Sequence, residues 1–156
     1  MSPMKSVNVL LVEDDPADVE LTREGLKDSK MMMTLNVVND GIEAMKYLRR
    51  EAPHTDAVRP DLIILDLNMP KKDGREVLRE LKADDGLKSI PVVVLTTSQA
   101  AWDIQKCYEL GANCWITKPI GLDEFIKIVG TVQDFWFTVV KLPLDRSLLP
   151  DREQKA

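Results

Sequence analysis

Histidine is nearly missing from this chain of 156 residues: only His54 is present, and there are only two cysteines, Cys107 and Cys114. A structural zinc site needs about four Cys or His ligands at short spacings, and a disulfide framework needs several cysteines, so both are excluded. The cysteines read as two buried, reduced thiols. His54 falls in a polar stretch and reads as exposed rather than as a phosphodonor or ligand. No apolar run approaches the ~18 residues of a membrane-spanning helix. Met1 to Ser6 hold one lysine before a short β-like run, which lacks the long apolar region of a secretion signal. Basic residues are outnumbered 21 to 26, for a net charge of -5, which argues against binding nucleic acid by neutralising phosphates. The expectation is a soluble, cytoplasmic protein that engages neither nucleic acid nor membrane.

What remains is a chain of ordinary domain size, 44% apolar and 30% charged, patterned as short β-branched runs alternating with segments of helical period. Ser6 to Val12, Met33 to Val38, Asp61 to Leu65, Pro91 to Leu95 and Cys114 to Thr117 read as strands. Near-continuous apolar runs of this kind suit strands covered on both faces. Asp15 reads as an N-cap with Pro16 at the first helical position. Asp40-Gly41 opens a second helix, Arg75 to Lys82 is a third, Ser98 starts a fourth that ends near a left-handed Gly111, and Leu122 begins the last. Five strand-then-helix units predict a three-layer α/β fold, a flavodoxin-like (βα)5 with parallel order 2-1-3-4-5. Residues 1–142 form the expected domain. Pro143 onward reads as a partly mobile extension, and Glu51 to Pro60 as a surface loop.

Ligands in such folds bind beyond the carboxyl ends of the strands. Those ends carry Glu13 and Asp14, Asp66, Thr96 and Thr97, and Thr117-Lys118-Pro119. Three carboxylates brought together repel unless a cation compensates them. Lys118 is one such cation, and a hard dication such as Mg²⁺ is another. Asp66, on the central strand, is then the free carboxylate able to attack phosphorus, with Thr96 and Lys118 placed to stabilise the phosphoryl oxygens. Asp15 reads as a cap rather than a ligand, and Thr97 as a loop hydroxyl.

VLLVEDD, LIILDLNMPKKDG, VVVLTTS and ITKP, in that order, resemble the motifs of bacterial two-component receiver domains over about residues 5–130. The resemblance implies that Glu13 and Asp14 hold Mg²⁺ together with Asp66 and a backbone carbonyl of Asn68. It implies Asp66 as phosphoacceptor, Thr96 as the hydroxyl that shifts on activation, Lys118 as the phosphate's counter-charge, and a cis Lys118–Pro119 bond. Trp115 stands where the family carries its Tyr or Phe switch residue. NMPKKDGREVL, RPDLIILDL and the DFW of the last helix further resemble small receivers paired with bacterial phytochrome histidine kinases. The implied function is a receiver without an attached output domain. It takes phosphate from a sensor histidine kinase, with a bacterial phytochrome as the candidate, and promotes its own phosphorylation and dephosphorylation rather than turning over a substrate.

Two other chemistries use related residues. An aspartyl-nucleophile phosphohydrolase wants a second Asp two residues after the nucleophile, where this chain has Asn68. A flavin carrier wants a Ser/Thr/Gly-rich phosphate loop where this chain has Glu13-Asp14-Asp15.

The last helix carries more apolar surface than packing requires. Leu122, Phe125, Ile126, Val129, Val132 and Trp136 make one stripe; Ile128, Phe135, Phe137, Val139 and Val140 lie off it. Excess apolar and aromatic surface marks a partner site. The expectation is a homodimer through Phe125, Ile128, Phe135, Trp136, Phe137 and Val140, together with the chain to Leu142.

Overall fold

In the computed structural model, the described residues are 6–27, 32–139 and 141–143. Val140 and the extension beyond 143 lie outside them. Five strands, β1 (Ser6–Val12), β2 (Met32–Val38), β3 (Leu62–Leu65), β4 (Val92–Thr96) and β5 (Cys114–Thr117), form one parallel sheet in the order β2-β1-β3-β4-β5. Helices α1 (Pro16–Gly25), α2 (Gly41–Leu48), α3 (Gly74–Ala83), α4 (Ala101–Glu109) and α5 (Leu122–Asp134) alternate with them. The flavodoxin-like expectation holds.

Successive residues of a strand face opposite sides, and the central strands feed two cores accordingly. Leu10, Val12, Ile63, Leu65, Val92 and Val94 pack with Met45, Leu78 and Leu81. Val9, Leu11, Leu62, Ile64, Val93 and Leu95 pack with Leu26, Phe125 and Val129. Each fully buried side chain of this size contributes roughly 1.5–3 kcal/mol. Register brings the strand ends level: Val12 pairs with Leu65, Leu65 with Val94 and Thr96 with Thr117. The next residues therefore emerge together at one edge.

Caps hold the helices that follow. Asp15 accepts from Ala17 N at 2.9 Å, Asp40 from Glu43 N at 2.8 Å, and Asp73 from Arg75 N at 2.8 Å. At the start of α3, a Cβ on Gly74 would lie 2.3 Å from the Asp66 carbonyl oxygen, so only glycine lets α3 begin this close to the site. Gly111 takes φ 107°, the left-handed conformation expected of it.

Several expectations need correction. α4 begins at Ala101 rather than Ser98, because the Ser98 hydroxyl donates to Asp103 Oδ2 at 2.8 Å instead of capping the helix. His54 is half-buried: its Nε2 lies 2.7 Å from Glu43 Oε2 and its ring meets Tyr47 edge-on. Cys114 is only half-buried, because β5 is an edge strand; Cys107 is buried. Among the described residues the cis peptide is Ala52–Pro53, and Lys118–Pro119 is trans; proline makes both isomers accessible, and the local chain path selects one.

The far end of α5 also differs. A π-helical turn, Phe135–Val139, follows Asp134. Its wider turn shifts the inward face by about one residue and carries Phe137 into the core at 8% exposure. Phe125 is in the core as well, at 3%, so neither side chain is available to a partner. Trp136 and Leu142 pack partly on the same core, and Leu122, assigned to the buried stripe, is exposed. Phe135 stays exposed, and with Ile128, Val132 and Trp136 it lines an apolar groove against Cys114 and Ile116 of β5. Among the described residues, no helix is long and apolar enough to cross a membrane.

Candidate functional site: an acidic hollow around one lysine

Glu13 and Asp14 follow β1 directly, and Asp66 follows β3, its amide bonded to Val12 O at 3.0 Å. Ligand oxygens of the three carboxylates all lie within 4.8 Å of one another. Glu13 and Asp66 are buried and Asp14 is exposed at the rim. Asp15 turns away to cap α1, as read from the sequence.

Lys118, at the end of β5, enters the hollow from the other side. Its amide bonds Thr96 O at 2.7 Å, which fixes the residue against β4. Its ammonium Nζ donates to Glu13 Oε2 at 2.7 Å, to Asp18 Oδ2 at 2.7 Å and to Asp66 Oδ2 at 3.2 Å. Burial alone would push this ammonium down. Hydrogen bonds to Asp18 and Glu13, with the charges of Asp66 and Glu13, outweigh burial and hold it well above the usual lysine range. For Glu13 burial wins, helped by the Asp66 charge and opposed by the Lys118 hydrogen bond, and its carboxyl is pushed up to about 7. One cation is too few for the acids it faces.

Asn68 is exposed; its amide donates to Asp66 Oδ1 at 3.3 Å, and its side chain makes a long 3.4 Å bond to the buried Thr96 hydroxyl. Thr97 is exposed. Trp115 is half-buried against the core; its indole nitrogen donates to Thr117 Oγ1 at 3.3 Å, and its amide to the Tyr108 hydroxyl at 3.1 Å. The donor set of Glu13, Asp14 and Asp66 is all oxygen and anionic, which suits a hard divalent cation such as Mg²⁺.

Two features escaped the sequence reading. Asp18, in the first turn of α1, was indistinguishable from the acids that commonly decorate helix starts. Arg75 and Asp103, 28 residues apart, looked like unrelated surface charges. In the structure Arg75 Nε and Nη2 reach Asp103 Oδ1 and Oδ2 at 2.8 and 2.7 Å, and Ser98 adds a third bond. This ties the start of α3, beside Asp66, to α4.

The response regulator receiver domain family matches residues 9–130. The chain belongs to this family. The receiver is 47% identical over 135 residues to the response regulator Rcp1 of Synechocystis, covering 86% of this chain and 92% of that one. Its fold matches a crystal structure of the phosphorylated cyanobacterial phytochrome response regulator RcpA, with a TM-score of 0.88, 48% identity, and coverage of 90% of this receiver and 100% of that chain. The Mn²⁺-bound form of Rcp1 matches with a TM-score of 0.86 and 46% identity, over 91% and 100% of the two chains. This receiver is therefore a two-component signalling module related to phytochrome response regulators and is not a classical enzyme. The phosphohydrolase alternative is not favoured.

Proposed function

We propose that this receiver accepts a phosphoryl group on Asp66 from the phosphohistidine of a sensor histidine kinase, with a bacterial phytochrome as the upstream candidate. The observation that carries the reading is the buried Asp66 carboxylate, bonded to Lys118 and within 4.8 Å of Glu13 and Asp14 oxygens. An Asp66 oxygen attacks phosphorus, the phosphorus–nitrogen bond breaks, and the imidazole leaves with the electron pair. Glu13, Asp14, Asp66 and the Asn68 carbonyl would hold Mg²⁺, which when bound neutralises charge on the phosphoryl oxygens. Lys118 supplies the counter-charge from the chain itself. Thr96, buried beside Asn68, supplies a hydroxyl to the phosphoryl group, and its movement biases the face formed by α4, β5 and α5, where Trp115 sits. The same carboxylate geometry would let the receiver promote both its own phosphorylation and its dephosphorylation.

The test is intact mass after incubation with acetyl phosphate and Mg²⁺. Wild type should gain one phosphoryl mass and Asp66→Asn none; equal uptake by both would reject the assignment.

The groove bounded by Ile128, Phe135 and Trp136 supports a homodimer, with the extension from Pro143 as an accessory segment. Phe135→Ser should lower self-association in light scattering at micromolar concentration, and a wild type that scatters only as a monomer would remove this part of the proposal.

A further inference from the structure

The Lys118 ammonium has three hydrogens, and three carboxylates take them: Glu13 and Asp18 at 2.7 Å and Asp66 at 3.2 Å. A phosphoryl group on Asp66 takes up that carboxylate's charge and inherits its 3.2 Å bond, and for the ammonium to turn toward the phosphoryl oxygens one of the two 2.7 Å bonds must loosen. Exposure decides which one. The side chains of Glu13 and Asp66 are 3% and 7% exposed, whereas that of Asp18 is 21% exposed. A carboxylate at the rim takes water in place of the ammonium at little cost, whereas a buried one gives it up only where another cation takes its place. Asp18 also sits in the first turn of α1, where the helix N-terminus favours a negative charge even without Lys118. It is not a member of the Glu13, Asp14 and Asp66 cluster, and it meets the site through the lysine.

We propose that Asp18 is a positioning residue for phosphoryl acceptance: it holds the Lys118 ammonium toward α1 in the resting site and releases it as the phosphoryl group arrives. The role rests on the assignment of Asp66 as phosphoacceptor. Asp18 thereby competes with the phosphoryl oxygens for one cation, and its charge weakens their hold.

The experiment titrates beryllofluoride, a phosphoryl mimic, into the full chain at saturating Mg²⁺, with fluorine NMR reading the protein-bound signal. Asp18→Asn should half-saturate at roughly threefold to tenfold lower beryllofluoride than wild type, the scale of one charge-assisted bond at partial exposure. Asp18→Ala should behave alike, because the charge is what competes, and Asp18→Glu should stay near wild type. In a Lys118→Ala background the gain from Asp18→Asn should vanish. A saturable wild type with Asp18→Asn equal or weaker overturns the Asp18 role alone, as does a gain that survives without Lys118. A wild type with no bound signal overturns the phosphoacceptor reading and the Asp18 role with it.

Discussion

Two charge networks in this receiver differ in balance. Arg75 meets Asp103 through two parallel hydrogen bonds and Asp73 more loosely at 3.8 Å, Ser98 adds a third bond to Asp103, and that aspartate is only 5% exposed. Lys118 faces Glu13, Asp18 and Asp66 together, with Asp14 beside them. In the first network the buried acid has its charge matched by a guanidinium and needs no further cation. The second carries surplus negative charge, so it accepts a dication and can pass its lysine from one acid to another. A satisfied network rigidifies, whereas a frustrated one is poised to respond to a ligand.

The largest expected effect breaks the matched network. Arg75→Ala leaves Asp103 buried with Ser98 alone and should cost about 3 kcal/mol in urea unfolding. The loss should be the same with and without Mg²⁺; a loss that Mg²⁺ repairs would erase the contrast. Lys118→Ala should cost less, about 2 kcal/mol in chelator, because Glu13, which burial already pushes up to about 7, can take a proton when the cation is gone. Here Mg²⁺ should restore much of the loss, stabilising the variant more than it stabilises wild type.

The pH dependence should separate the networks by sign. The Arg75 hydrogen bond lowers the Asp103 carboxyl below its ordinary 3.8, against burial. The unfolded chain then binds the proton more readily, so this stabilisation is present above about 3.8 and is lost as pH falls through the lower folded value. Burial raises Glu13 from 4.5 to about 7. The folded chain then holds the extra proton, so this stabilisation is full below 4.5 and is lost as pH rises through about 7. Urea midpoints in chelator should therefore fall from Glu13 between those values, and Glu13→Gln should flatten that slope while leaving the acid limb unchanged. The smallest effect sharpens the same contrast: Ser98→Ala removes one of three bonds on Asp103 and should cost about 1 kcal/mol.

The strand ends were legible because a parallel strand buried on both faces has little room for polar side chains until it leaves the sheet. An acid after Val12 or Leu65, or a lysine after Thr117, therefore stands out against its neighbours. Cys114–Thr117 and the start at Leu122 were read as they are found. Ser98 misled because a hydroxyl ahead of a helical pattern looks like a cap whether or not a distant carboxylate claims it. Phe137 misled because helical period was extended through a turn that widens after Asp134.

Local patterning and short connections set the order of the sheet and the residue types at its carboxyl edge. How those charges are shared follows from packing alone. Lys118 meets Asp18 across 100 positions, and Arg75 meets Asp103 across 28. No local period encodes such pairs, because the distance between two charges depends on how helices pack on the sheet and not on where they stand along the chain.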